Sequence, residues 1–219
     1  MSKITLLFTD LEGTLVNTHT GNFEPQDMYA FLSKIQRLQD LTGTKVHIHL
    51  VSPMYLKQMK ATIDMIDDSI DQYNSLHQTS TPLLSIRGGT VTAEESFESC
   101  YEVDKGIMPL AKDPALGAGK YGKEHYVRIW TDAFRQHGNL AGAIYCGNDG
   151  NDFLAMEYIN RLPNGISICP KNSIENIQKI AKFVGEHDDL PGISEGFDKL
   201  IKELEKKKSD KENIDEVRE

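Results

Sequence analysis

Two carboxylates stand two positions apart in Phe8-Thr9-Asp10-Leu11-Glu12-Gly13-Thr14-Leu15, directly after the apolar run 4–8. An Asp that ends a buried strand can hold a cation or attack phosphorus, and a second acid two residues on can move a proton. The competing reading, a capped and solvated turn, leaves a charge at the end of a buried strand without a partner, which is costly. Farther along, Gly147-Asn148-Asp149-Gly150-Asn151-Asp152 follows the apolar run 141–146 and supplies the oxygen donors that a hard divalent cation such as magnesium takes. Ser52 follows the run 46–51 and precedes Pro53, a residue suited to the first turn of a helix. A hydroxyl there, together with backbone N–H groups, can bind a phosphate oxygen; an ordinary turn hydroxyl is the plainer alternative. Lys120 and Lys123 lie at the end of a glycine-rich stretch, just before a helical pattern, where a cation can neutralise a transferring phosphoryl group.

These groups need a scaffold that gathers them, and the alternation along the chain predicts one. Short apolar runs at 4–9, 46–51, 83–86, 141–146 and 166–169 read as strands. Between them, Met28, Phe31, Leu32, Ile35 and Leu38 recur at helical spacing, as do Leu56, Met59, Ile63, Ile66 and Ile70. Val127, Trp130 and Phe134 mark a third helix, 153–159 a short fourth, and Ile174, Ile177, Ala181 and Val184 a fifth. Strands alternating with helices predict a three-layer, doubly wound parallel sheet, with ligands beyond the carboxyl ends of its strands. The acidic pair, Ser52 and the acidic turn fall at such ends, and the two lysines fall at the start of a helix.

Composition fits this reading and removes others. The chain has 219 residues, 39% hydrophobic and 26% charged, enough for one α/β domain with a full core. A formal net charge of -9 argues against a nucleic-acid partner. Cys100, Cys146 and Cys169 are too irregularly spaced for a zinc site or a disulfide framework, and no leader or membrane-length apolar run is seen, which predicts a cytoplasmic protein.

Two stretches break the alternation. From 88 to 122 the chain reads as a polar hairpin and a loop with Pro109, Pro114 and four glycines. The run after Leu204 is rich in Lys and acids and reads as a helix end fraying into a charged tail over 205–219. The expected organisation is a core over 1–204 with a small insert at about 88–119, followed by that tail.

The ordered motifs, Asp10-x-Glu12-Gly13-Thr14, then Ser52 after a second strand, then a lysine, then Gly147 with an acidic turn, resemble the haloacid dehalogenase-like (HAD) superfamily. Leu84-Ser85-Ile86-Arg87-Gly88-Gly89 and Gly192-Ile193-Ser194-Glu195-Gly196-Phe197 look similar to the Cof-type sugar-phosphate phosphatases. The resemblance runs from Ile4 to about Leu204. It implies a HAD-like Rossmannoid core and a magnesium-dependent phosphatase acting through an aspartyl-phosphate on a small phosphorylated metabolite, with a sugar phosphate as one candidate. Asp10 is then the nucleophile, and Glu12 the acid/base whose backbone carbonyl also meets the metal. Thr14 and Ser52 contact the phosphoryl group, Lys123 balances charge, and the Asn148–Asp152 turn completes the metal site. Lys123 matches the family spacing better than Lys120. Arg87 is a candidate for reaching a substrate phosphate or carboxylate, a role that Arg suits by its bidentate fork.

The chain departs from the family pattern in two places. Position 12 is usually Asp in the phosphatases; some, similar to the enolase-phosphatase type, carry Glu there. The family also places Asp directly after the glycine where Asn148 stands. Asp149 is the expected replacement ligand if the loop shifts by one residue, with direct binding by Asn148, or a crippled site, as the alternatives. Only an insert of hairpin size takes the place of a cap, so an open site is expected, one that either serves a larger substrate or is closed by a second copy of the chain. A weakened binding or regulatory protein, and a capless phosphatase on a macromolecule, are the rival readings. His47 and His49 share a strand face, yet without a third ligand they read as core histidines. Tyr121, Tyr126 and Trp130 read as loop and core aromatics.

Overall fold

The computed structural model describes residues 3–52, 56–77 and 123–216. Five strands, β1 (Ile4–Thr9), β2 (Lys45–Leu50), β3 (Leu140–Cys146), β4 (Gly165–Cys169) and β5 (Phe183–Val184), form one all-parallel sheet in the order β2-β1-β3-β4-β5. Helices α1 (Pro25–Thr42), α2 (Leu56–Leu76), α3 (Lys123–Gln136), α4 (Phe153–Asn160), α5 (Glu175–Ile180) and α6 (Asp189–Glu216) cover its faces. The expected strand at 83–86, the insert at 88–119, Arg87 and Lys120 lie outside the described residues.

The strands are apolar on both faces because both faces are covered. Leu7, Ile48, Ile144 and Ile168 pack with Phe31, Leu32 and Ile35 of α1, Ile66 and Ile70 of α2 and Phe197 and Leu200 of α6. The alternate residues, Leu6, Phe8, Ala143 and Tyr145, pack with Tyr126, Val127 and Trp130 of α3, Met156 and Ile159 of α4 and Ile177 of α5. His47 and His49 belong to this second layer: His49 Nδ1 lies 3.2 Å from Tyr126 Oη, and its ring centroid is 4.7 Å from that of Trp130. They are core histidines.

Two elements differ from the sequence expectation. The fifth helix stops at Ile180, and Phe183 and Val184, which favour a pleated surface, pair instead with Ile168 and Cys169 as an edge strand. The chain past Leu204 does not fray at once: α6 runs to Glu216. Its Lys and Glu residues are good helix formers, and Glu203 and Lys207, 4.0 Å apart, are a helical i,i+4 pair.

Between β1 and β3 the winding of the sheet reverses. In open α/β sheets of this strand order, that switch point is where ligands bind, outside the carboxyl ends of the two strands. Asp10 follows β1 and Gly147 follows β3, so the two acidic turns flank one crevice.

Candidate active site

Asp10 is held by its strand neighbours. Its N–H donates to the Cys146 carbonyl at 2.9 Å, and Thr9 Oγ1 donates to its own carbonyl at 2.8 Å. The chain then turns: Thr14, Leu15 and Val16 all donate back to Leu11, and Glu12 pairs with Val16. Gly13 makes the turn at φ +70°, and a Cβ there would come within 2.1 Å of Asn148 Nδ2, so only glycine fits.

Three buried charges meet beneath this loop. Lys123, the first residue of α3, places Nζ 2.6 Å from Asp10 Oδ1 and 2.7 Å from Asp152 Oδ1. One cation between two carboxylates leaves a net charge of about -1 in a desolvated site. Burial accordingly pushes the Asp10 carboxyl up to about 7; Lys123 opposes that rise and Asp152 adds to it. Burial acts to lower the pKa of Lys123, but the charges of Asp10 and Asp152 outweigh it and hold the ammonium above its ordinary value.

Asp152 has no accessible surface, and both of its oxygens are occupied. Oδ1 accepts from Lys123 and, at 2.7 Å, from Tyr145 Oη; Oδ2 accepts from the backbone N–H of Asn148 at 2.9 Å and of Asp149 at 3.0 Å. In this conformation it fixes the turn and the lysine. Gly147 is required for this closure, since a Cβ there would lie 2.5 Å from Asp152 Cγ. In the sequence, the one signal for Tyr145 is a lone hydroxyl in an otherwise apolar strand. Burial, followed by the charge of Asp152, raises its pKa well above the ordinary value, so it stays a donor.

The turn also separates Asn148 from Asp149. Asn148 Oδ1 faces the nucleophile loop, 3.4 Å from Thr14 Oγ1. Asp149 is exposed, and its carboxylate caps the short 3-10 turn that follows, accepting from Gly150 N–H at 2.6 Å. The shift that would bring Asp149 into the crevice is absent from this conformation. Among the described residues no group of three or more His, Cys, Asp or Glu is arranged to hold a metal.

Ser52 is buried just beyond β2, whose end pairs with the end of β1 through the Val51 N–H donating to the Thr9 carbonyl at 2.8 Å. It therefore lies at the same sheet edge as Asp10. The Glu12 side chain is half-buried and makes no hydrogen bond or ion pair with the described residues. Asp10 and Lys123 thus meet directly, Thr14 and Asn148 meet across the two turns, and Glu12 and Ser52 lie near the same sheet edge; Arg87 lies outside the described residues.

Comparison with solved structures shows a fold of the haloacid dehalogenase-like hydrolase type. A protein of Thermoplasma acidophilum aligns with a TM-score of 0.52 at 12% identity, covering 93% of this chain and 99% of that one. YhjK of Bacillus subtilis, a haloacid dehalogenase-like hydrolase protein, aligns with a TM-score of 0.51 at 14% identity, covering 92% of each chain. No protein-family model matches the chain. No curated protein matches it either. Among the described residues, no helix is long and apolar enough to cross a membrane.

Proposed function

We propose that this chain hydrolyses phosphomonoesters of a small metabolite through an aspartyl-phosphate on Asp10. The observation that carries the reading is a division of labour between two acids two residues apart. Asp10 is buried and paired with Lys123, whereas the Glu12 carboxylate is partly exposed and makes no ion pair or hydrogen bond with the described residues, as a nucleophile and a proton carrier need to be.

In the first step a carboxylate oxygen of Asp10 bonds to phosphorus as the bond from phosphorus to the leaving oxygen breaks, and Glu12 gives that oxygen its proton. In the second, Glu12 removes a proton from water, the water oxygen bonds to phosphorus, and the Asp10–phosphorus linkage breaks to release phosphate. Lys123 stabilises negative charge on the transferring group in both steps. Ser52 and Thr14 supply hydroxyls at the same edge for its equatorial oxygens.

The residues present suit a magnesium ion by chemistry: Asp10, the backbone carbonyl of Glu12 and Asn148 are hard oxygen donors, and the Asn148 carbonyl already faces the loop that carries the other two. When bound, the ion would neutralise phosphoryl charge. Asp152 and Asp149 are engaged within the turn and Asp10 Oδ1 is shared with Lys123, so few carboxylate oxygens are left for the ion, which favours a weak site. That shortage also favours the second reading, a binding or regulatory protein with slow turnover. A second copy of the chain covering the crevice, and a cytoplasmic setting, complete the proposal.

Purified protein tested on p-nitrophenyl phosphate and a panel of phosphorylated metabolites, with and without magnesium, should release phosphate in an Asp10-dependent way. No release that disappears in Asp10→Asn, across the whole panel, would sink the enzyme reading.

A further inference from the structure

Asp189, the first residue of α6, has φ +50°, a left-handed backbone that few residues other than glycine adopt. Such strain persists only where the surroundings over-determine it. Here they do. Glu195 accepts the N–H groups of Glu186 and His187, and the His187 carbonyl accepts from Lys171, so the chain leading into Asp189 is held from two sides.

What the conformation achieves lies at the side chain. Asp189 Oδ1 accepts from Asn172 Nδ2 at 2.7 Å and Oδ2 accepts from Asn17 Nδ2 at 2.9 Å, while the Asp189 N–H donates to Asn172 Oδ1 at 3.1 Å. Asn172 Nδ2 also donates to the Gly13 carbonyl at 3.2 Å. Asn17 directly follows Val16, which pairs with Glu12 and receives the Gly13 N–H at 2.8 Å. The Asp189 carboxylate therefore holds the nucleophile loop at two points, through Asn172 at Gly13 and through Asn17 at the far end of the turn. Gly13 is bonded in the chain between Glu12 and Thr14, so a hold on its carbonyl bears on both neighbours.

We infer that Asp189 is a positioning residue for the Asp10–Val16 loop, acting through Asn172 and Asn17. Its effect on turnover rests on the phosphatase reading above; its effect on the loop does not. Asp189→Gly is the informative variant, because glycine accepts the same backbone without strain and removes only the carboxylate. The full-length variant should keep its melting temperature within a few degrees. With p-nitrophenyl phosphate and magnesium, kcat should fall about 10- to 100-fold with KM changed less than about threefold, as expected when reacting groups are misplaced rather than lost. Amide hydrogen exchange of the peptide spanning residues 10–16 should accelerate at least fivefold on the same order-of-magnitude reasoning. Asn172→Ala should reproduce both changes. Exchange of 10–16 at the wild-type rate in Asp189→Gly overturns the inference, as does accelerated exchange with unaltered kcat. If the wild-type protein hydrolyses no phosphomonoester, the phosphatase reading fails by itself, and the exchange comparison still decides whether Asp189 holds the loop.

Discussion

Lys123 Nζ lies 2.6 Å from Asp10 Oδ1 and 2.7 Å from Asp152 Oδ1, so a single helix-terminal ammonium joins the end of β1 to the turn after β3. All three groups are nearly or wholly buried, and the strength of this link decides both how stable the site is and how it behaves with pH.

Removing the ammonium should be severe. In Lys123→Met the two carboxylates face each other without a cation, and breaking a buried pair costs about 3–5 kcal/mol. Phosphatase activity should fall about a hundred- to a thousandfold, the scale seen when a charge-stabilising group leaves a reacting site. Urea unfolding at pH 8 and pH 5 checks the stability: the loss should be smaller at pH 5, where one of the two acids can take up a proton.

Asp10→Asn should abolish turnover and yet stabilise the metal-free protein. The folded chain keeps a proton on Asp10 up to about pH 7, whereas the unfolded chain loses it near 4. Between those values the folded state binds more protons, so the wild-type contribution from this group falls as pH rises. The variant escapes that loss. With EDTA present, its melting temperature should exceed the wild-type value by several degrees at pH 8, about 1–3 kcal/mol, and by little at pH 4.

The two neighbours in the acidic turn should respond in opposite ways. Asn148→Asp places a carboxylate opposite Thr14, and the magnesium concentration for half-maximal activity should drop by about tenfold, the effect of adding one charged oxygen ligand. Asp149→Ala should leave that concentration within about twofold while costing about 1 kcal/mol, as loss of a helix cap does. A strong magnesium defect in Asp149→Ala would instead show that the turn rearranges when the ion binds.

His49 should mark the acid limb of stability. Burial, reinforced by the charge of His47, pushes its pKa down to about 3, so the ring is neutral in the fold, while the unfolded chain takes up a proton near 6.5. The unfolded state then binds more protons between about 3 and 6.5, and stability falls as pH falls through that window. In His49→Phe the slope of unfolding free energy against pH over this range should be shallower by close to one proton.

Much of this architecture could be read before any coordinates. Four strands and the helices between them follow from apolar spacing; Asp10, Glu12 and Ser52 fall at one sheet edge because strands of a parallel sheet all end on the same side, and Lys123 reaches it from the start of α3. The remainder depends on geometry finer than spacing. Asn148 and Asp149 differ by one residue of turn rotation, and which faces the crevice is set by Asp152 accepting both of their N–H groups. That closure also engages both oxygens of Asp152. Phe183 and Val184 continue a helical pattern in one dimension and become an edge strand only because β4 offers an unpaired side. Asn172 and Asp189 look like loop polars; their meeting with Asn17 across more than 150 residues has no signature in a single sequence.

The central place of β1, between β2 and β3, also governs what happens if the chain is cut. A nick anywhere between His77 and Lys123 leaves Asp10 and Ser52 on one fragment and Lys123 and Asp152 on the other. The fragments would remain joined by the β1–β3 ladder, by the packing of α1 on α6, and by ion pairs such as Lys34 with Asp198 and Arg37 with Glu205. The protein is thus built as two interlocking halves, and its reactive centre is the seam between them.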